Sequence, residues 1–248
     1  MGDVSSEAQP PCKRLKLAYT TMFDVIVGFG EDSERFTLPH DLFTCRSEFF
    51  RAARSSRWCT DPSKPVDMTD HDPKIFAVYL NCVYKGSEDL PNFLNGEQYG
   101  NIEALKPPAG DIYVAAEGLE TYFVDRFYYL TELYFLADKI MDHAVANDAV
   151  DEIIAMCDRC GVIPNEEDIN TIYRCTIKGM GIRKLMLDFL INEVHKPEVG
   201  ELDTEVLEEY VSTVASAVVA EPYSLVIDEL RTPVIRRDFS RYHHHGED

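Results

Sequence analysis

Apolar residues alternate with more polar ones near the start of the chain, in two short runs separated by turn residues. The alternating apolar positions are Phe23, Val25 and Val27, then Phe36 and Leu38. A period of two is typical of a strand with a buried face, and residues 28–33 are rich in turn-forming types. Pro39 ends the second run because it cannot donate to a strand ladder. The pattern predicts a β-hairpin, followed by short helices at residues 40–42 and 47–53.

A longer helix is predicted to begin after Asp72 and to end before Gly86. Asp72 offers a side-chain acceptor at the N-cap, and Pro73 occupies the first helical position, where no N–H is needed. Apolar residues follow at helical spacing: Ile75, Phe76, Tyr79, Leu80 and Val83. Residues 65–68, just ahead of this helix, are predicted to form a short strand.

Periodicity of either kind is absent between residues 87 and 125. Glycine, proline, asparagine and acidic residues dominate there. Because so long a loop without regular structure is uncommon inside a compact domain, we interpret residues 87–125 as a surface insertion. A docking role for this segment is the alternative.

Helical periodicity returns after the insertion and continues to about residue 230. The apolar stripes are Leu133, Leu136, Ala137, Ile140 and Ala144; Ala146, Ala149, Val150, Ile153, Ile154 and Cys157; Met186, Phe189, Leu190 and Val194; and Leu207, Tyr210, Val211, Val214 and Val218. Gly161 is predicted to stop the second helix, residues 165–168 to cap the next, and Thr204 to cap the last. Residues 1–20 predict a disordered tail, and residues 231–248 a polar, frayed one.

The charge balance argues against direct binding of nucleic acid. The 248 residues include 44 Asp and Glu against 24 Lys and Arg, a formal net charge of −20 at pH 7. Nucleic-acid affinity depends on neutralising phosphates, which this balance opposes. A solvated acidic surface explains the charge, and a basic partner is the alternative.

The expected location of the chain is the cytoplasm, the nucleus or both. No apolar run approaches the roughly 20 residues that span a bilayer, and the N-terminus lacks the apolar stretch of a secretory signal. We therefore expect no membrane contact, and we expect the 7 scattered cysteines to be free thiols. The basic run Lys13–Lys16 resembles a minimal nuclear import signal.

Catalytic and cofactor-binding motifs are absent from the sequence. Cys157-x-x-Cys160 is the best metal or redox candidate, but a structural zinc needs four ligands and no second pair lies nearby. The pair also ends a predicted helix, whereas a reactive thiol of this kind sits at a helix start. His243–His245 could bind a metal weakly, although a solvated tail or the remnant of a tag explains it better. We expect no catalytic residues, no cofactor and no metal.

Five pieces of this pattern, in this order, resemble a BTB/POZ domain of the fungal type with a helical C-terminal extension. They are Asp24-Val25, the helix start at His40, Ser47-x-Phe49-Phe50, Tyr84-x-Gly86 and Leu136-Ala137-Asp138-Lys139. The resemblance implies an α+β fold in which a small sheet is capped by a cluster of helices, over residues 21–155 with the insertion at 87–125. It implies an all-helical extension over residues 156–230.

The resemblance to BTB/POZ domains implies docking to other proteins rather than catalysis. Family members make homomeric and heteromeric contacts, and many bridge a cullin-based ubiquitin ligase to its substrates, so a cullin adaptor is the alternative function. An uncharacterised enzyme is the third candidate. Strand-exchanged dimers of the family carry an ordered strand and helix ahead of the first core strand. The short polar segment in that place here implies a monomer or a weak homodimer.

Trp58, Thr60 and Tyr84 are the residues for which the resemblance implies a role in protein contacts. Cullin-binding members carry a hydrophobic-x-Glu element after the Ser-x-Phe-Phe helix, and Trp58-Cys59-Thr60 keeps the hydrophobic anchor but lacks the Glu. Trp58 is the only tryptophan; it suits an interface if it is exposed, and the alternative is that it packs beneath the neighbouring loop.

A second departure from the family concerns charge beside the first strand. Transcriptional members of the family place a basic residue just after the conserved His, near the strand Asp. Here the strand carries Asp24, the His is His40, and Asp41 stands at the basic position. Two carboxylates are therefore expected where an ion pair would lie, which argues against a corepressor-type pocket.

Overall fold

A computed structural model describes residues 21–58, 61, 63–90, 119–192, 199–220 and 239–244. The described residues form a mixed α+β fold in which a small three-stranded sheet is joined to a larger set of helices. This agrees with the predicted fold class at the level of α+β. The predictions for residues 1–20, including Lys13–Lys16, and for Thr60 and Val194 lie outside the described residues.

The sheet consists of β1 (Met22–Val27), β2 (Glu34–Pro39) and β3 (Val66–Met68), in the order β2-β1-β3. β1 pairs antiparallel with β2 and parallel with β3. The apolar residues at alternate positions of β1 are buried, which confirms the predicted hairpin and its buried face. Gly28, at φ +85°, leads out of β1, and a Cβ there would meet Pro73 Cγ at 2.8 Å, so the turn requires glycine.

Three helices follow the hairpin and pack against the sheet: α1 (His40–Arg46), α2 (Glu48–Ala53) and α3 (Pro73–Lys85). The helix predicted between Asp72 and Gly86 is confirmed at both ends. The Asp72 side chain accepts the backbone N–H of Lys74, and Gly86 ends the helix at φ 92°.

Two long helices, α4 (Leu119–Lys139) and α5 (His143–Cys160), lie against each other, and α4 also packs on α3. Their apolar stripes are buried as predicted except at Ala144, which is exposed and belongs to α5. Gly161 ends α5 in the left-handed conformation at φ 64°. Arg126 of α4 is buried against Glu152 of α5, with 2.6 Å between Nη2 and Oε1.

The remaining helices are α6 (Glu166–Cys175), α7 (Gly181–Asn192) and α8 (Thr204–Ala220). The predicted cap at residues 165–168 is confirmed as a capping box between Asn165 and Asp168. In the predicted apolar stripe of the last helix, the expected burial of Val211 is wrong, because this residue is 55% exposed. α8 is instead attached near its start, through the buried Val206.

The insertion predicted at residues 87–125 is too long at both ends. Leu90 follows a 3₁₀ turn at Ser87–Asp89 and is buried in the core. α4 begins at Leu119, and its first turns bury Tyr122 and Phe123. Tertiary packing of these aromatic residues explains a helix start that local periodicity did not reveal.

The prediction of a frayed C-terminal tail is wrong for residues 239–244. Phe239–Tyr242 form a 3₁₀ turn that packs on α5 and α7, and the Tyr242 side chain is fully buried. His243 and His244 are half-buried, which also overturns their interpretation as solvated residues, and His245 lies outside the described residues.

Candidate protein-interaction site

Phe43 of α1 joins the two elements that carry the candidate interaction residues. Its ring is fully buried, 6.1 Å from the ring of Phe50 in α2. On the other side its ring lies 6.1 Å from that of Tyr79 and 5.8 Å from that of Tyr84, both in α3. Both α2 and α3 therefore pack against the same buried side chain.

Trp58 lies in the turn that follows α2 and projects into solvent. Its backbone N–H donates to the Ser55 carbonyl at 3.1 Å, which fixes the turn. The side chain is 70% exposed, so the alternative that it packs beneath a neighbouring loop is wrong. The Arg57 guanidinium lies 5.7 Å from the centre of the indole ring, within the range of a cation–π contact.

Tyr84 lies in the last turn of α3 and is half-exposed. Its ring meets the buried Phe43 ring edge-on, so one side of the tyrosine is held by the core while 51% of the residue is accessible. Thr60, the third predicted residue, lies outside the described residues. The structure therefore gives two of the three predicted residues an accessible aromatic surface on adjoining elements.

The stretch of sequence around Trp58 is locally basic, a feature that the acidic composition conceals. Basic residues outnumber acidic ones over residues 40–64: Arg46, Arg51, Arg54, Arg57 and Lys64 against Asp41, Glu48 and Asp61. Arg51 pairs with Glu48 at 3.1 Å on the surface, whereas Arg57 lies over the indole. A local charge count along the sequence would have found this patch, which the net charge of −20 hides.

A buried carboxylate anchors the helices beneath this surface. Asp142 is 2% exposed and accepts hydrogen bonds from Arg46 Nε at 3.0 Å and Nη2 at 3.2 Å. It also accepts from the Tyr79 hydroxyl at 3.1 Å and caps α5. Burial, reinforced by the Asp142 carboxylate, raises the pKa of Tyr79, so the hydroxyl stays protonated and donating. One side chain thus ties α1, α3 and α5 together.

The carboxylate pair expected beside the first strand is replaced by two separate pairs. Asp24 accepts from Thr37 Oγ1 at 2.7 Å and lies 3.2 Å from Arg35 Nη1, while Asp41 lies 3.1 Å from His40 Nδ1. The strand register explains the error, because Thr37 is opposite Asp24 and Arg35 is on the same face of β2. Each carboxylate therefore has a partner of its own, and Asp24 pairs with Arg35 of β2 instead of with a basic residue after His40.

The cysteine pair at the end of α5 is buried. Cys157 and Cys160 are 4% and 5% exposed. Within the described ranges, no group of three or more His, Cys, Asp or Glu side chains could hold a metal ion. Burial raises the pKa of the Cys82 thiol to about 12, which makes that thiol a poor nucleophile.

Comparisons with known proteins give no match: no family model, no curated protein and no solved structure is similar to this chain. In the part of the chain that the structure describes, no helix combines the length and the apolar character needed to cross a membrane.

Proposed function

We propose that this chain is a non-enzymatic protein-interaction module with a BTB/POZ fold, and that Trp58, Arg57 and Tyr84 belong to its docking surface. The observation that carries the proposal is the 70% exposure of Trp58 on a turn beside an arginine. Tryptophan, tyrosine and arginine are the residue types most enriched among interface hot spots. A small sheet joined to helices, in the order that the resemblance implies, supports the proposed fold.

The rigidity beneath the surface supports docking by preformed geometry. Asp142 joins three helices from inside, and Phe43 holds the elements that carry Trp58 and Tyr84. A surface that is already ordered loses little conformational entropy when a partner binds. The partner's own surface would be acidic, to complement Arg57 and Lys64.

The test compares Trp58→Ala with Phe29→Ala in the full chain. Phe29 is 84% exposed in the turn after β1, so its removal is a matched loss of an exposed aromatic side chain elsewhere on the surface. We expect Trp58→Ala to weaken capture of the partner by about 2 kcal/mol or more, roughly 30-fold, while Phe29→Ala has little effect. Equal binding by both variants, with unfolding curves like the wild type, would place the docking surface elsewhere.

Adaptor function for a cullin-based ubiquitin ligase is the second candidate, favoured by the exposure of Trp58 at the family's hydrophobic anchor position. Calorimetry with an N-terminal cullin fragment tests it. We expect measurable binding that requires Trp58 and that strengthens in Thr60→Glu, where the missing carboxylate is restored. The adaptor function would be rejected if the cullin fragment bound equally well to the wild type, to Trp58→Ala and to Thr60→Glu. It would also be rejected if the fragment bound neither the wild type nor Thr60→Glu, which would leave docking to another partner.

The proposal includes a monomer or weak homodimer that acts in the cytoplasm or nucleus. Sedimentation at micromolar concentration is its direct check, since a tight dimer would contradict the expected oligomeric state.

A further inference from the structure

The C-terminal segment 239–244 lies in a groove formed by α4, α5 and α7, as a bound peptide would. In the sequence the segment follows α8 after residues 221–238, which lie outside the described residues. Tyr242 is fully buried, and its hydroxyl donates to Asp188 Oδ2 of α7 at 2.7 Å. The segment is therefore anchored by one aromatic side chain with a specific polar partner at its tip.

The groove also recognises the backbone of the segment. Asn147 of α5 accepts the His244 backbone N–H at 2.7 Å and donates its amide to the His244 carbonyl at 3.3 Å. Paired hydrogen bonds from one amide side chain to the main chain of one residue hold the peptide backbone there, whatever the identity of that residue's side chain. The His244 ring is held separately, with Nε2 hydrogen-bonded to the Tyr134 hydroxyl at 2.8 Å.

Carboxylates face the arginine and the two histidines along this contact. Arg241 lies 3.4 Å from Asp188 of α7, and His243 lies 2.8 Å from Asp151 of α5. His244 lies 3.6 Å from Asp138 of α4. Each basic side chain of the segment thus faces a carboxylate from a different helix, which specifies both the register and the direction of the peptide.

One glycine makes the close approach of the segment possible. A Cβ at Gly181, the first residue of α7, would lie 1.7 Å from the Tyr242 carbonyl oxygen and 2.4 Å from its carbon. The backbone at Gly181 is not in the left-handed region, so alanine would suit the helix there while blocking the groove. The glycine at residue 181 is therefore required by the close approach of Tyr242 in the groove, and not by the backbone conformation of the helix.

From these contacts we propose that the groove is a peptide-binding site for a tyrosine flanked by basic residues, and that segment 239–244 is its resident ligand in cis. A peptide of the same chemistry on another protein enters only when the resident segment leaves. The segment also bridges α7 to α4 and α5, so its departure loosens the attachment of the extension. This second binding site is independent of the surface around Trp58.

The test uses the full chain with Tyr242→Ala, which removes the anchor and leaves the groove intact. The probe is a fluorescent synthetic peptide with the sequence of residues 239–244, followed by anisotropy. We expect saturable binding to the variant and at least about tenfold weaker binding to the wild type, because a tethered competitor has an effective concentration on the order of millimolar. A probe in which tyrosine is replaced by alanine should not bind.

Two further variants establish where the peptide binds. Gly181→Ala combined with Tyr242→Ala should abolish binding, because the new Cβ occupies the position of the peptide backbone. Gly200→Ala combined with Tyr242→Ala is the matched control, since a Cβ at Gly200 meets nothing within 4 Å. Absence of probe binding to a folded Tyr242→Ala chain would overturn the proposal, as would binding that survives Gly181→Ala.

If Tyr242→Ala does not fold, the proposal is tested by cleaving a chain that keeps Tyr242. A site-specific protease sequence placed within residues 221–238 is cut after purification. Retention of the C-terminal fragment, with exchange against the labelled probe, supports a ligand in a binding site. Immediate loss of the fragment from a folded chain, or retention without any exchange, contradicts the proposal and makes the segment either incidental or a fixed part of the core.

Discussion

Two regions of the protein differ in the contacts that hold their helices. The first region is the sheet with its helices (residues 21–90 and 119–160), and the second is the helical extension (residues 166–192 and 199–220, with 239–244). In the first region, strands and helices bury continuous apolar stripes, and buried ion pairs add to that core. In the extension, one arginine of α7 contacts both α6 and α8. Arg183 of α7 donates to the Tyr173 carbonyl of α6 at 2.6 Å and pairs with Glu205 of α8. Both regions bury apolar residues in one core, with Ile172, Phe189 and Leu190 among those of the extension, and the extension adds polar contacts between its helices to that shared core.

The largest expected effect is in the first region, at Glu152. Its carboxylate lies 2.6 Å from Arg126 Nη2 and 2.5 Å from Arg159 Nη2, and the Arg126 side chain is 2% exposed. We expect Glu152→Ala to lower the free energy of unfolding by about 3–5 kcal/mol, because a buried charge loses its partner. Urea unfolding followed by circular dichroism measures the change.

Asp158→Ala is the matched control for this prediction. Asp158 lies on the same helix and is exposed, so its removal should change stability by no more than about 0.5 kcal/mol. Equal stabilities of the two variants would mean that the pair between α4 and α5 contributes little.

A smaller effect, confined to the extension, is expected for Arg183→Met. The substitution removes hydrogen bonds to the Tyr173 carbonyl and to Thr176, together with the stacking of the guanidinium 4.5 Å above the Tyr173 ring. Hydrogen bonds from a charged group contribute about 1.5–3 kcal/mol, so we expect a loss of that order. Hydrogen exchange should accelerate in α6 and α8 and stay unchanged in α4 and α5.

Lys184→Met serves as the control, since Lys184 neighbours Arg183 but is exposed. Faster exchange throughout the chain in Arg183→Met would contradict the separation into two regions and show that they unfold as one unit.

The same contrast explains how far the sequence predicts the structure. Most signals that depend on neighbouring residues are correct: Asp72, Pro73 and Gly86 bound α3, Asn165 caps α6, and Gly161 ends α5. Thr204, predicted to cap the last helix, is instead the first residue of α8. The start of α4 was missed because its first turns are stabilised by the burial of aromatic side chains rather than by a local capping pattern.

At the candidate sites, the contacts that matter join residues far apart in the sequence, and the sequence alone does not predict them. Sequence alone left open whether Trp58 is exposed, because exposure depends on which distant elements cover a turn. Docking of Tyr242 rests on Gly181 and Asp188, which lie far away along the chain and carry no local signal for such a contact. Asp142 likewise binds Arg46, almost a hundred positions earlier.

The next prediction concerns the pH dependence of the first region. Burial, and to a lesser extent the charge of Lys139, lowers the pKa of His71, while Asp70 acts in the opposite direction. The unfolded chain therefore binds the proton more readily, and this contribution to stability is present above the ordinary pKa of 6.5 and is lost as the pH falls below it. Unfolding free energies between about pH 7.5 and 5.5 should decline less in His71→Gln than in the wild type.

Parallel profiles for the wild type and His71→Gln would show that protonation of His71 is not linked to unfolding.

The smallest effect is expected when residues 91–118 are replaced by a Gly-Ser linker of half that length. The described elements on either side already contact each other, since α3 packs on α4 and the Ser87 hydroxyl donates to Asp148 of α5. Halving a loop changes its closure entropy by only about 0.6 kcal/mol, so thermal unfolding should stay cooperative and the stability nearly constant. Extending the replacement to residues 88–120 should be much more harmful, because it removes the buried Leu90, whose side chain contributes on the order of 2–5 kcal/mol. If the shorter replacement destabilised the protein as much as the longer one, residues 91–118 would belong to the core of the first region.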